Sequence, residues 1–287
     1  MKDIPTSPRI ALLKRNRRVK RLRLLILFSL LFISLIFALS YFSSHSRVTI
    51  NKIIITGNSI IDAEKLESSI NTKLAGKYMW LFSHSNFLIY PHDKIYNGLI
   101  NEFPRIQSLS LKREGSNILK IQIVERVGSY LYCGVSIPES KDDIGENCYF
   151  VNNDGYIFDK APYFSGDIYF KYYKAINGDA KNPLGTQMYE PERFHQLLRF
   201  MDGVTSLGFN ISYLVVDTNG LYSLYLKSSG NSNPKILFKE DNDWVIILDN
   251  FSTAMSEKEF ANEINSKYDT LSYIDLRFKN KVLYKFQ

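Results

Sequence analysis

The sequence predicts an α+β chain: a basic tail over residues 1–23, a single transmembrane helix over 24–42, a β-α-α-β-β domain over 47–126, and a β-rich domain over 127–287. The sheet of that last domain is expected to be mostly antiparallel, with two or three helices. Three observations predict this. Nineteen consecutive residues, Leu24–Phe42, carry no charge. Residues 47–126 pass from period-two to period-3.6 hydrophobicity and back. Beyond residue 127, short apolar runs are punctuated by Asp-Gly and Asn-Gly turns.

Charge distribution narrows the function. The formal net charge is +7, yet residues 1–23 alone hold nine Lys/Arg and one acid. The other 264 residues hold 27 bases and 28 acids. The folded part is nearly neutral, which argues against a nucleic-acid partner. The run 24–42 makes a helix about 28 Å long, against a hydrocarbon core of about 30 Å. It is apolar on every face, unlike a surface helix of a soluble protein. The basic residues before it place the N-terminus in the cytoplasm and everything after about Ser43 outside. Tyr41 and Phe42 fall where an interfacial aromatic anchor sits. A cleaved signal peptide, cut near Ala38-Leu39-Ser40, is the competing reading. Both the basic region and the apolar run exceed signal-peptide lengths.

The elements follow in order. Val48, Ile50, Ile53 and Ile55 predict a strand with one slip in alternation, broken by Gly57-Asn58. Asp62 caps a helix whose face is Ala63, Leu66, Ile70 and Leu74, ended at Gly76. A second helix runs from about His92 to Phe103, with Ile95, Leu99 and Phe103 at i, i+4 and i+8, and Pro104 stops it. Leu109 and Leu111, then Leu119, Ile121 and Ile123, alternate as two strands around the turn Glu114–Asn117. Further on, Cys148–Val151 and Tyr156–Phe158 flank Asn153-Asp154-Gly155. A helix opens at Pro191, with Phe194, Leu197, Leu198, Met201 and Leu207 on one face and Gly208 after it. Ile211–Asp217 and Leu221–Lys227 flank Asn219-Gly220, Ser228–Asn233 is a loop, and Ile236–Phe238 is a short strand. Trp244–Met255 predicts a helix facing inward through Val245, Leu248, Phe251 and Met255. Ser256-Glu257-Lys258-Glu259 has capping-box spacing. Tyr273–Phe278 and Lys281–Phe286 are the last strands, with Lys279-Asn280 between them.

Chemistry-bearing residues are sparse. Cys133 and Cys148, the only cysteines, both lie on the outer side, where an even count predicts a disulfide. The alternative is two buried thiols that never pair. His45, His84, His92 and His195 show no metal-ligand spacing. Phe150–Gly155 lacks the ligands of a calcium loop and reads as a turn. Asp142-Asp143, with Glu139 and Glu146 nearby, reads as a solvated loop. There is no nucleophile elbow, phosphate loop or zinc-protease motif, so no enzyme, cofactor or small-molecule substrate is expected. The apolar segments Met79–Phe82 and Phe87–Tyr90 join the two helices of the first domain. They either touch a membrane or partner, or pack over the domain's own core. The second is expected, because large exposed apolar patches are rare.

The order of these parts resembles the FtsQ/DivIB family of bacterial cell-division proteins. The resemblance is carried by Val48-x-Ile50-x-x-Ile53-x-Ile55-x-Gly57-Asn58, Phe103-Pro104-x-Ile106 and Leu119-x-Ile121-x-Ile123-x-Glu125-Arg126. Tyr273-Ile274-Asp275-Leu276-Arg277-Phe278 and Cys148–Val151 with Asp154-Gly155 add to it. The β-α-α-β-β domain is similar to a POTRA domain. One departure is Gly128, where the family often has proline. The resemblance implies a non-enzymatic divisome scaffold, anchored in the bilayer through residues 24–42 and located at the division septum. It implies that the last strand binds a coiled-coil protein of the FtsB/DivIC type, with Arg277 pairing an acid and Phe278, Asn280, Val282 and Tyr284 lining the contact. Two structural alternatives stand beside it. Asp275 and Arg277 form an ion pair within the domain, and Lys279, Lys281 and Lys285 are edge protection. A POTRA-containing factor for protein export or envelope assembly is the other function class.

Overall fold

The computed structural model describes residues 8–115, 117–137, 147–164, 168–177, 182–229 and 232–287. The first seven residues of the basic tail fall outside this set. So do Ser116, Glu139, Asp142, Asp143, Glu146 and two residues of the Ser228–Asn233 loop. The protein is a mixed α/β chain with a large sheet and one N-terminal helix long and apolar enough to span a membrane. It divides into two compact units, Met1–Glu102 with Ile106–Glu125 and Phe103–Arg105 with Arg126–Gln287.

In the first unit, helix α1 (Pro8–Ser43) is continuous through the basic stretch and the apolar run. Its span Arg18–Ser43 has nothing packed around most of its length. Next come β1 (Lys52–Thr56), α2 (Ala63–Leu74), β2 (Lys77–Tyr78), β3 (Phe82–Ser83), α3 (His92–Glu102), β4 (Ile106–Glu114) and β5 (Ile118–Glu125). The sheet order is β1-β5-β4, with β1 parallel and β4 antiparallel to β5. The alternation of Leu119, Ile121 and Ile123 is realised: all three are buried, while Lys120, Gln122 and Val124 are exposed. Leu66, Ile70 and Leu74 of α2 and Ile95 and Leu99 of α3 complete this core.

Three expectations in this unit are refined, and the break at Gly57 gains its reason. The first strand is shorter, because Val48 and Ile50 pair with the loop after β3 through Phe87 N–H to Val48 O and Ile50 N–H to Ser85 O. That change of partner is the slip in the alternation. Ala63 is exposed, and Ser69 takes its place on the inner face of α2, donating to Glu102 Oε2 at 2.6 Å. Gly57 has φ of +85°, and a Cβ there would meet the Ile123 carbonyl oxygen at 2.1 Å, so glycine is required. The apolar segment does not fold over the core at its tip: Met79 is 85% exposed and Trp80 92%.

The second unit contains β6 (Tyr130–Tyr132), β7 (Tyr149–Val151), β8 (Ile157–Lys160), β9 (Lys171–Lys174), α4 (Pro191–Ser206), β10 (Ile211–Val216), β11 (Leu221–Leu226), β12 (Lys235–Lys239), α5 (Trp244–Ser256), α6 (Lys258–Ser266), β13 (Leu271–Phe278) and β14 (Lys281–Phe286). One sheet runs β14-β13-β12-β11-β10-β9-β6-β7-β8. It is mostly antiparallel, with parallel pairs at β12–β13, β10–β9 and β6–β9. The helices pack through Phe194, Leu197, Phe200, Met201 and Val204 of α4 and Trp244, Ile247 and Phe251 of α5. Val245, expected inside, is 73% exposed. Asp243 fixes the phase of α5 by accepting from the Val245 and Ile246 N–H groups, and Trp244 turns inward to donate Nε1–H to Lys239 O at 2.9 Å. Leu207 lies just past the end of α4. The capping box is not made. Ser256 ends α5 and its hydroxyl returns to Ser252 O, while Glu257 starts α6 without a side-chain cap.

Gly128 has its own reason. A Cβ there would meet the Phe150 ring at 2.3 Å, and that ring is held by Phe158, Phe164 and Tyr169.

Tyr172, Tyr189 and Tyr222 lie in the core with their phenols pushed up by burial, Tyr222 to about 12. Among the described residues neither the Tyr189 nor the Tyr222 hydroxyl has a hydrogen-bond partner, and the nearby Tyr222 phenol adds to the upward shift at Tyr189. A phenol whose folded pKa is raised stabilises the fold fully below the unfolded value of 10. That contribution is lost as pH rises through the folded value. The second unit is therefore expected to unfold in alkali between about pH 10 and 12. Tyr222→Phe removes one such phenol and an unsatisfied hydroxyl, so its stability at pH 7 should stay within about 1 kcal/mol of wild type. Its alkaline midpoint should move up. Circular dichroism followed against tyrosinate absorbance measures both, and an unmoved midpoint contradicts the assignment.

Candidate partner-binding site

β13 is an interior strand, and its burial pattern sorts its side chains onto two faces. Ile274 and Leu276 point to the helices and the core, whereas Tyr273, Asp275 and Arg277 lie on the opposite face by the period of two. The register carries this across the neighbours. Leu237 of β12 and Leu283 of β14 sit directly beside Asp275, and Lys235 and Lys285 sit beside Tyr273. Asp275 is only 3% exposed. A buried carboxylate needs a partner, and Arg277 supplies it. Its Nη2 and Nε donate to the two carboxylate oxygens at 2.6 and 2.8 Å, and its backbone N–H donates to Oδ1 at 3.0 Å. Those bonds hold the guanidinium above its usual pKa. The Asp275–Arg277 ion pair is thus present within the unit, and Arg277 keeps about a third of its side-chain surface exposed above it. A register shift between Asp275 and Phe278 bends the strand just before the Lys279-Asn280 turn.

β14 lies at one end of the sheet and pairs on one side only, with β13, among the described residues. Its outer face carries Lys281, Leu283 and Lys285, all exposed. Its inner face carries Val282, Tyr284 and Phe286. Val282 and Phe286 pack on the core. Tyr284 contacts the Phe260 ring of α6 and donates to Glu263 Oε2 at 2.6 Å. The Glu263 carboxyl is held below its usual pKa chiefly by that bond. The turn is tied to α5 by Asn250 Nδ2 donating to Lys279 O at 2.7 Å.

The five sequence-predicted residues therefore do not form one patch. Arg277 faces outward, Phe278 and Asn280 are exposed at the hairpin end, and Val282 and half-open Tyr284 face the helices. Leu283, which sequence reasoning missed, is an exposed apolar side chain of β14 on the same outer face as Arg277. Strict alternation from Val282 would have found it once the pairing with Asp275 was known.

Cys133 and Cys148 are joined in a disulfide. They stand one position beyond the Tyr132–Tyr149 pair and so close the base of the loop that joins β6 to β7. Around Asn152–Gly155, the Asn152 carboxamide oxygen accepts from Asp154 and Tyr156 N–H groups, which accounts for this segment as a turn. Among the described residues, no three His, Cys, Asp or Glu side chains gather as metal ligands would.

Fold and site together define a mixed α/β chain with an apolar N-terminal helix and a cationic, partly apolar sheet edge. No known family's sequence pattern matches the chain, and no curated protein matches it.

Proposed function

We propose that this chain is a membrane-anchored scaffold of the bacterial division machinery. It crosses the inner membrane once through α1, with its N-terminus in the cytoplasm and both compact units outside. It gathers at the septum, links division proteins there and helps control when septal peptidoglycan is made. The first unit acts as a POTRA-type module. The role is one of binding rather than catalysis. The observation that carries this reading is the β14 edge. An edge strand offers unpaired backbone groups that a partner can extend. Lys281, Leu283 and Lys285 on its outer face suit an acidic, amphipathic helix or strand, as a coiled-coil protein of the FtsB/DivIC type would present.

Live imaging of a functional fluorescent fusion, with the native protein depleted, tests it. Septal signal with filamentous, undivided cells is the expected result. Uniform envelope signal with normal division overturns it and favours a factor for protein export or envelope assembly.

A further inference from the structure

We propose that the β2–β3 turn, with Met79 and Trp80 at its tip, is a second membrane contact, seated in the outer lipid interface beside α1. The inference rests on the reading of α1 as a membrane anchor. Its starting point is a local rule that the sequence breaks. Leu81 N–H donates to Tyr78 O across Met79 and Trp80, which have φ of +46° and +61°. Consecutive positive φ values in a hairpin turn favour asparagine and glycine. Bulky side chains there are strained. This turn instead holds two large apolar side chains, and both point almost wholly into the surroundings. Nothing in the first unit's core uses them.

The turn's position supplies the occupant. The hairpin is fastened to the outer end of α1 in register. Ser83 N–H donates to Ser43 Oγ at 3.3 Å, and Ser40 Oγ donates to Leu81 O at 2.6 Å. From Ser83 to Leu81 the hairpin thus descends alongside the helix from Ser43 to Ser40, about 4.5 Å toward the hydrocarbon. Met79 and Trp80 lie beyond Leu81. Asn86 Nδ2 locks the same junction by donating to Ser43 Oγ and O. Ile36, Ser40 and Ser43 share one helix face at i, i+4 and i+7 and are the less exposed residues of this end. Ser40 belongs to the uncharged run, so the tip stands level with its last turn. Tyr41 and Phe42, both well exposed, lie within one helical turn of Ser40. Together with Trp80 they form the aromatic belt favoured at a membrane–water boundary. Lys77, exposed and paired with Ser83, sits one step higher, at the level of phosphate headgroups. Two contacts, one a helix and one a rigid turn, would fix the tilt and rotation of the first unit on the bilayer, which a single helix with a flexible exit would not.

The test uses the full chain in vesicles of phosphatidylcholine and phosphatidylglycerol with acyl chains brominated near the headgroup. The chain has two tryptophans, and Trp244 is buried in a protein core. Quenching of the Trp80 share of the emission is expected, with the share of buried Trp244 left intact, as for one indole at the interface. Trp80→Phe should abolish it. A Phe37→Trp variant on the Trp80→Phe background reports the anchor itself. Quenching at residue 37 without quenching of Trp80 overturns the proposal and makes the tip a surface for a protein partner. No quenching at either position removes the anchor reading, and the proposal with it.

Discussion

Arg277→Ala should cost the second unit about 3 kcal/mol, because it strands a carboxylate in a site with almost no access to water. Asp275 is flanked by Leu237 and Leu283, and among the described residues every hydrogen bond its carboxylate accepts comes from Arg277. Removal of the guanidinium leaves only the backbone N–H at 3.0 Å. For a unit of this size the melting temperature should fall by about 6–12 °C. Substitution of both members behaves differently. Asp275→Leu with Arg277→Leu removes the charge together with its partner, and such replacements are near neutral or stabilising. The double variant should melt within a few degrees of wild type. A melt of both variants decides it. A double variant as unstable as Arg277→Ala would mean that the pair is needed for the strand geometry and not merely for charge balance.

This bears directly on function. Arg277→Glu, the obvious charge reversal, would place two carboxylates together and lose partner binding by unfolding the edge. A loss of partner binding in the stable double variant would assign a direct contact to the exposed third of Arg277. Lys281→Glu and Lys285→Glu, both on the outer face and away from Asp275, probe the same surface without that confusion.

How far the sequence could be read depended on where each signal was stored. Leu119, Ile121 and Ile123 were legible because burial on one face imposes a strict period of two. Leu66, Ile70 and Leu74 were legible because an amphipathic helix imposes i, i+4, i+8. The β6 and β9 strands were not, since three or four residues cannot establish a period and their positions depend on partners far along the chain. The phase of α5 was misread because Val245 and Trp244 are both apolar, and only the Asp243 cap chooses between them. Glu125 shows the same limit. Its carboxylate accepts from the Ser59, Ile60 and Ile61 N–H groups more than sixty residues away and holds the entry to α2. Arg126 donates to Pro104 O and stacks over Tyr156. The Glu125-Arg126 pair that contributes to the family resemblance therefore has a structural job in this fold. At the site, alternation located the edge strand, but only register could show that Leu283 and Arg277 share a face while Val282 and Tyr284 turn away. The apolar tip hid its turn because Met-Trp is the opposite of what positive φ requires.

The disulfide should matter nearly as much as the ion pair, and at the other end of the same sheet. Cys133→Ser with Cys148→Ser is expected to destabilise the second unit by about 3 kcal/mol, the value for a loop of some fifteen residues on the chain-entropy model. The location gives that loss a specific target. β6 is three residues long, yet it joins the β7–β8 hairpin to β9 and through it to the rest of the sheet. Its own contribution to the core is Tyr132, while Leu131 and Cys148 belong to a smaller cluster with Ala161. Without the covalent link, a three-residue strand must hold the β7–β8 edge by ladder bonds and that small cluster alone. The β6–β8 end should therefore open before the β10–β13 centre. Hydrogen exchange at Tyr130–Tyr132 and Tyr149–Val151 should accelerate while Leu214, Leu224 and Ile274 stay protected. Wild-type protein melted with reductant should match the variant, and the first unit, which has no cysteine, should be indifferent to both treatments. Equal melting temperatures with and without reductant would mean that the small cluster already holds this end. In that case the bridge adds no stability at this end of the sheet.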